Sequence, residues 1–190
     1  MEKEEYFKKI YTLLIVVIVI TGFNLLLTFI NLFSTKDTSS TISNDSTTSQ
    51  TSQNSDYDVS DFNTLNLSGV LDLFEKDGTS VLYLGRSTCG ACVSFLPTLK
   101  AVQEKYGYVT NYLDITTVST GSSDYKKFQE LLEVEVTENI NGEKVTADIG
   151  EFFGYTPMVI IIKDGKAVDC SVGAYSESKF EEFLNENGIK

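Results

Sequence analysis

Two cysteines three positions apart are the residues of this sequence best suited to chemistry. Cys89 and Cys92 enclose glycine and alanine in the motif CGAC, where an apolar run gives way to a helical pattern. The chain has three cysteines in all and no histidine. Such a pair forms half of a metal site, a structural disulfide, or a dithiol that cycles with a disulfide.

The ligand supply argues against a metal. A zinc site needs four ligands, and the only cysteine besides the pair is Cys170, so a carboxylate would have to complete the site. We therefore predict no metal. The absence of histidine also excludes Cys-His and Ser-His-Asp catalysis. A structural disulfide stays as an alternative, although it would close a very short loop and constrain the unfolded chain little.

A redox dithiol explains the position of the pair at the start of a helix. Unsatisfied N–H groups and the helix dipole stabilise a thiolate there, which makes Cys89 the predicted nucleophile. Cys92, one turn later, is placed to resolve a mixed disulfide. Arg86 is a candidate for added positive charge, with a solvated surface arginine as the alternative. Cys170 is predicted to be a small buried hydrophobe.

Strand and helix patterns alternate around the motif. An apolar run at residues 79–85 predicts a central strand, and residues 91–106 predict the helix that follows it. The dipeptides Asn141-Gly142 and Asp164-Gly165 predict two hairpins. The complete order is β-α-β-α-β-α-hairpin-β-β-α, which predicts a mixed α/β sheet with helices on both faces. The other predicted elements are an edge strand in residues 58–66, a helix at 68–76, a strand at 108–115, and helices at 122–134 and 176–188.

The first part of the chain predicts a membrane anchor. Residues 10–33 carry no charge and are dominated by Ile, Leu, Val and Phe. At about 1.5 Å per residue they can cross a hydrocarbon core of about 30 Å. A cleavable signal peptide is the alternative, but the run is longer than its usual core and no small-x-small site follows. Lysines concentrate in residues 1–9, so this segment is predicted to be cytoplasmic.

Everything beyond the anchor is therefore predicted to lie outside the cell membrane, where disulfides persist. Residues 34–56 are almost entirely Ser, Thr, Asn, Gln and Asp, which predicts a flexible linker. Residues 57–190 have the size of one domain. The net charge of −12 argues against nucleic acid as a partner.

The motif in this context resembles the thioredoxin superfamily. The resemblance rests on CGAC after an apolar strand, on Thr156-Pro157 and on the stretch KDGKAVDCSVGA, and it covers roughly residues 58–188. The stretch YLGRSTCGACVSFLPTLKAV is further similar to thioredoxin-like bacteriocin transport accessory proteins of Gram-positive bacteria. The resemblance implies a thioredoxin-like fold, a redox-active Cys89–Cys92 disulfide and no other cofactor. It also implies a cis Pro157 facing the cysteines.

The same resemblance implies how a substrate segment is held. The backbone of Thr156 would bond to it, and Gly173 and Ala174 would form the third wall of the groove. The sequence departs from thioredoxins in having Thr88 where they have tryptophan and Gly-Ala where they have Gly-Pro. Tyr83 stands in place of their buried acid, and the lysine paired with that acid aligns near Thr110. Residues 134–146 are an insertion.

These observations predict a membrane-tethered extracytoplasmic thiol–disulfide oxidoreductase acting on protein thiols or disulfides. Oxidase, isomerase and reductase all fit the residues. A membrane redox protein or a peptide transporter is a further candidate partner. The alternative function is a non-catalytic adaptor that uses a thioredoxin-like groove to hold an exported peptide or transporter.

The predicted topology can be tested on intact cells. Protease added from outside should remove the domain of residues 57–190 while residues 1–9 stay protected, because the lysines hold the N-terminus inside. Immunoblotting of tags at the two ends measures this. Protection of the domain until the cells are lysed would reverse the orientation.

Overall fold

The computed structural model describes residues 57–190. The predicted cytoplasmic segment 1–9, anchor 10–33 and linker 34–56 lie outside these residues. Within residues 57–190, every helix is too short or too polar to cross a membrane.

Seven strands and four α-helices make up the described part of the chain, joined by short 3-10 turns. The strands are β1 (Asn63–Thr64), β2 (Thr79–Gly85), β3 (Thr110–Asp114), β4 (Glu135–Ile140), β5 (Glu143–Asp148), β6 (Met158–Lys163) and β7 (Lys166–Val172). The helices are α1 (Leu67–Leu71), α2 (Gly90–Tyr106), α3 (Ser123–Leu131) and α4 (Glu177–Glu186).

Five strands form the central sheet in the order β1-β3-β2-β6-β7, and β4 and β5 pair separately. β1, β3 and β2 run parallel, whereas β6 is antiparallel to β2 and β7 is antiparallel to β6. The sheet is therefore mixed, as the element order predicts.

Alternating side chains of β2 divide the core into two layers. Val81 and Tyr83 pack with α2 and α4, whereas Leu82 and Leu84 pack with α1 and α3. Because successive side chains of a strand point to opposite faces, a buried run such as β2 requires helices on both sides. The prediction of helices on both faces of a mixed sheet is thus confirmed.

Local structure departs from prediction mainly before β2. The edge strand predicted over residues 58–66 shrinks to Asn63–Thr64 because the chain first makes a turn. In that turn the Asp58 carboxylate accepts the Ser60 N–H at 3.0 Å. The helix predicted over residues 68–76 is α only to Leu71 and then tightens into a 3-10 turn, Asp72–Glu75.

Both predicted hairpins are confirmed. Asn141 and Gly142 have φ values of 54° and 91°, and Asp164 and Gly165 have 47° and 75°. Two consecutive positive φ values match the twist of the flanking strands, which explains why Asn-Gly and Asp-Gly turns mark hairpins so well. The first of these hairpins, β4–β5, is the insertion, and β4 lies against the edge strand β7.

One buried carboxylate joins this insertion to the central sheet. Glu138 on β4 is 7% exposed. Its Oε2 accepts the Val172 N–H at 3.3 Å and the Tyr175 hydroxyl at 2.9 Å. Burial raises the pKa of Glu138, while these two hydrogen bonds act in the opposite direction. The raised pKa means that the folded protein holds the Glu138 proton more tightly than the unfolded chain does.

We therefore predict that Glu138 makes stability fall with rising pH. Its contribution is complete below the ordinary glutamate pKa and is lost as pH rises through the raised native pKa. Glu138→Gln keeps an acceptor oxygen and removes the ionisation. Between pH 4.5 and pH 8 the free energy of unfolding of this variant should therefore rise relative to that of the wild type. Glu138→Ala leaves the Val172 N–H and the Tyr175 hydroxyl without an acceptor, so its free energy of unfolding should fall by about 1–3 kcal/mol. Urea unfolding of the purified proteins measures both, and parallel pH profiles for wild type and Glu138→Gln would contradict the prediction.

Candidate functional site

The CGAC motif lies at the junction between β2 and α2. After β2 ends at Gly85, the Cys89 N–H donates to the Arg86 carbonyl at 3.2 Å and closes a turn. α2 begins at Gly90, so Cys89 is its N-cap residue. The Cys89 sulfur accepts the Cys92 N–H at 3.1 Å, which fills the capping role that a serine or aspartate oxygen has in most helices.

A second loop brings the Thr156-Pro157 pair to the same sulfur. The Cys89 thiol donates to the Thr156 carbonyl at 3.4 Å. The Thr156–Pro157 peptide bond is cis, and the Pro157 carbonyl accepts the Gly173 N–H at 2.8 Å. Ala174 follows Gly173 and is exposed. The residues predicted to bind a substrate segment thus lie on two loops that are bonded to each other, and one of them contacts Cys89.

The environment of Cys89 favours its thiolate. Partial burial raises its pKa, but hydrogen bonds with the Cys92 side chain and backbone and with the Thr156 side chain, together with the positive charge of Arg86, outweigh that effect, so the pKa lies below its ordinary value. The Arg86 Nε is buried and has no hydrogen-bond partner within residues 57–190. Arg86 therefore acts on Cys89 as a charge.

Cys92 has the opposite character. It is fully buried in the layer beneath α2. Burial raises its pKa, and the hydrogen bond it shares with Cys89 raises it further. All three cysteines are free thiols in the structure. Of the pair, Cys89 is thus the more exposed thiol with the lowered pKa, and Cys92 is the buried thiol with the raised pKa.

The third cysteine lies apart from the motif in the fold. Cys170 is 1% exposed on β7, opposite Ile160 of β6. Burial raises its pKa, so the prediction that it is a buried hydrophobe is confirmed. Within the described range 57–190, no three His, Cys, Asp or Glu side chains are grouped closely enough to hold a metal ion.

The tyrosines beside Cys92 were the part of the site that sequence reasoning missed. The sequence identifies Tyr83 only as a replacement for the buried acid of thioredoxins, and it aligns the lysine of that pair near Thr110. In the structure Thr110 pairs with Val81, whereas the neighbour of Tyr83 on β3 is Tyr112. Tyr57 also reaches this place, and its hydroxyl donates to the Tyr83 hydroxyl at 3.1 Å. The sequence signal that indicates this cluster is one tyrosine in each of two predicted central strands, Tyr83 and Tyr112.

Comparison with known proteins gives structural neighbours only. No protein-family model matches the sequence, and no curated protein matches it. Among solved structures, oxidised mitochondrial thioredoxin 3 from Saccharomyces cerevisiae is 19% identical, with a TM-score of 0.46, and the alignment covers 67% of this chain and 96% of that one. Thioredoxin from Fasciola hepatica is 21% identical, with a TM-score of 0.44, covering 68% and 100%. Thioredoxin from Plasmodium falciparum is 14% identical, with a TM-score of 0.45, covering 65% and 97%.

These neighbours are thioredoxin-fold proteins, as the resemblance in the sequence implies. Their identities and TM-scores are too low to carry an argument about activity. The function proposed below therefore depends on the geometry of the described residues.

The contrast between the two thiols predicts their reactivity. Alkylation of the reduced protein should show one thiol that titrates below the free-cysteine value of about 8.5, because the Cys89 thiolate is stabilised. Cys89→Ser should remove that phase, and Cys92→Ser should keep it. Arg86→Gln should move it to higher pH by removing only the guanidinium charge. Mass spectrometry of iodoacetamide adducts against pH measures this, and a low-pH phase that belongs to Cys92 or Cys170 would reverse the assignment.

Proposed function

We propose that this protein is a thiol–disulfide oxidoreductase that acts on protein thiols or disulfides through Cys89 and Cys92. One observation carries the proposal. The Cys89 sulfur caps α2 beside the Thr156-Pro157 loop with a lowered pKa, while its partner Cys92 is buried with a raised pKa. A structural disulfide would need neither the difference in pKa between the two thiols nor the Thr156-Pro157 loop beside Cys89.

The proposed reaction begins with the pair reduced. The Cys89 thiolate attacks one sulfur of a substrate disulfide, that S–S bond breaks, and a Cys89–substrate disulfide forms while the other substrate sulfur leaves. Cys92 then loses its proton and attacks the Cys89 sulfur. The Cys89–Cys92 disulfide forms, and the second substrate sulfur leaves and is protonated. The substrate gains two electrons and the dithiol loses two.

The same steps run backwards from the oxidised pair and deliver a disulfide to protein thiols. A substrate chain would lie along the Thr156-Pro157 loop, with Gly173 and Ala174 forming the far wall of the groove. The Thr156 carbonyl already accepts from Cys89, so it stands where an extended substrate backbone would pass the sulfur.

The place of action is part of the proposal. Residues 10–33 would anchor the chain in the cell membrane and residues 34–56 would tether the domain outside it. This arrangement is supported by the uncharged run and by the lysines that precede it. Partners would then be exported proteins that carry thiols or disulfides, with a membrane redox protein or peptide transporter restoring the pair.

Trapping the mixed disulfide tests the function. Full-length Cys92→Ser should accumulate Cys89-linked adducts with extracytoplasmic proteins, since the resolving thiol is gone. Blocking thiols in intact cells and comparing non-reducing with reducing gels measures the adducts. The matched control is the Cys89→Ser/Cys92→Ser double variant, in which the adducts should vanish. If partners are retained equally well by the double variant, the protein is an adaptor and the catalytic proposal fails.

A further inference from the structure

A pair of hydroxyl groups is buried in the layer that contains Cys92. Tyr83 on β2 has no exposed surface, and Tyr57 is 8% exposed. The Tyr57 hydroxyl donates to the Tyr83 hydroxyl at 3.1 Å. Both tyrosines belong to the same core cluster as Cys92. Polar groups this deep are costly unless they are bonded, so their placement needs an explanation.

Gly85 shows that the space around these hydroxyls is kept open by the sequence. Gly85 lies two residues after Tyr83, on the same face of β2. A Cβ at this position would collide with the hydroxyl oxygens of both Tyr83 and Tyr57. Glycine therefore fits here without displacing these hydroxyls, immediately before the turn that leads to Cys89.

The direction of the Tyr57–Tyr83 hydrogen bond leaves the hydroxyl proton of Tyr83 available. Tyr57 gives its proton to the Tyr83 oxygen, so the proton of Tyr83 is free for another acceptor. Burial raises the pKa of Tyr83, and a hydrogen bond to Cys92 is among the further causes. Tyr83 thus stays protonated across the neutral range, and its proton lies in the buried cluster that contains the Cys92 thiol.

Several groups face Cys92 besides Tyr83. On α2 the neighbour is Cys89, and the backbone of Arg86 and the side chain of Thr156 stabilise the Cys92 thiolate from the two loops. Tyr57, which precedes β1, and Tyr112 on β3 are kept neutral by burial. The nearby carboxylate, Asp114, acts on Tyr112.

We infer that Tyr83, oriented by Tyr57, donates a hydrogen bond to the Cys92 sulfur as it ionises to attack the mixed disulfide. The inference rests on the proposed oxidoreductase function. Tyr83 keeps its own proton throughout, and the proton of Cys92 leaves with the departing substrate sulfur or to solvent. No further oxidant or reductant is needed, because the substrate disulfide accepts both electrons.

Stopped-flow reaction of the reduced full-length protein with one equivalent of 5,5′-dithiobis(2-nitrobenzoate) separates the two steps. Attack by Cys89 releases one thionitrobenzoate, and attack by Cys92 on the Cys89 adduct releases a second. In Tyr83→Phe the first phase should keep its rate and pH profile. The pH midpoint of the second phase should rise by about one unit or more, because a hydrogen bond to a charged group is lost.

The expected change in rate is smaller than the change in ionisation. A one-unit rise leaves tenfold less thiolate at neutral pH, but a more basic thiolate is about threefold more nucleophilic. The second phase of Tyr83→Phe should therefore be roughly three- to fourfold slower at pH 7. Tyr57→Phe should shift the midpoint in the same direction by a smaller amount, because Tyr83 keeps its hydroxyl but loses its orienting donor.

Tyr108→Phe is the matched control. Its hydroxyl is buried without a hydrogen-bond partner within residues 57–190, and its ring packs on the same core cluster. Tyr108 precedes β3, at the opposite end of the sheet from Cys89, so both phases should match the wild type. A change in Tyr108→Phe equal to that in Tyr83→Phe would show a general loss of packing and overturn the inference.

The outcomes separate this inference from the proposed function. If the wild type releases no second thionitrobenzoate, or if Cys89→Ser still gives the first phase, the oxidoreductase proposal itself fails. If the wild type shows both phases and the Tyr83→Phe profile is unchanged, only the role of Tyr83 fails. Should Tyr83→Phe not fold, Tyr57→Phe decides, and an unshifted second phase in that variant overturns the inference.

Discussion

The hydrogen bond from the Cys92 N–H to the Cys89 sulfur is the interaction on which this site depends. It starts α2, because it satisfies one of the N–H groups that every helix leaves free at its first turn. It also stabilises negative charge on the Cys89 sulfur, which is the nucleophile of the proposed reaction. Replacing Cys89 by serine would preserve a cap and remove that nucleophile, so helix formation and the proposed chemistry depend on one atom but can be separated by substitution. The Thr156 carbonyl contacts the same sulfur, and the turn closed between the Cys89 N–H and the Arg86 carbonyl holds the backbone of Cys89.

In the layer beneath α2, a neutral tyrosine occupies the position that a buried carboxylate could take. An ionised carboxylate in this layer would cost several kcal/mol unless it were paired. Tyr83 and Tyr57 are neutral and satisfy each other by one hydrogen bond, so they supply a donor without a buried charge. A tyrosine held protonated by burial cannot take the proton of Cys92, however. In the proposed reaction such a site would stabilise the Cys92 thiolate and leave the proton of Cys92 to depart with the substrate sulfur or to solvent.

Local patterns predicted the elements better than they predicted the site. The sequence predicts β2 with its observed ends because a nearly continuous apolar run is bounded by turn signals, and it predicts both hairpins from their Asn-Gly and Asp-Gly turns. The burial of Cys170 is also predicted correctly, because free cysteine is commonly a small buried hydrophobe, whereas the redox role of the cysteine pair stays a prediction. The tyrosine cluster depends instead on the parallel register of β2 with β3, which places Tyr83 against Tyr112 rather than Thr110. No local pattern encodes that register.

The insertion supports the groove at a distance from the sulfur atoms. Glu138 bonds to Val172, which pairs with Met158, the residue after Pro157. The Gly173 N–H is bonded independently to the Pro157 carbonyl. Two separate bonds therefore hold the end of β7 in place, one from the hairpin and one from the proline loop. Loss of the Glu138–Val172 bond would leave the Gly173–Pro157 bond intact. The hairpin therefore covers an exposed sheet edge and stiffens the segment that contains Gly173 and Ala174. The reactivity of Cys89, which is set by α2 and the Thr156 loop, is independent of it.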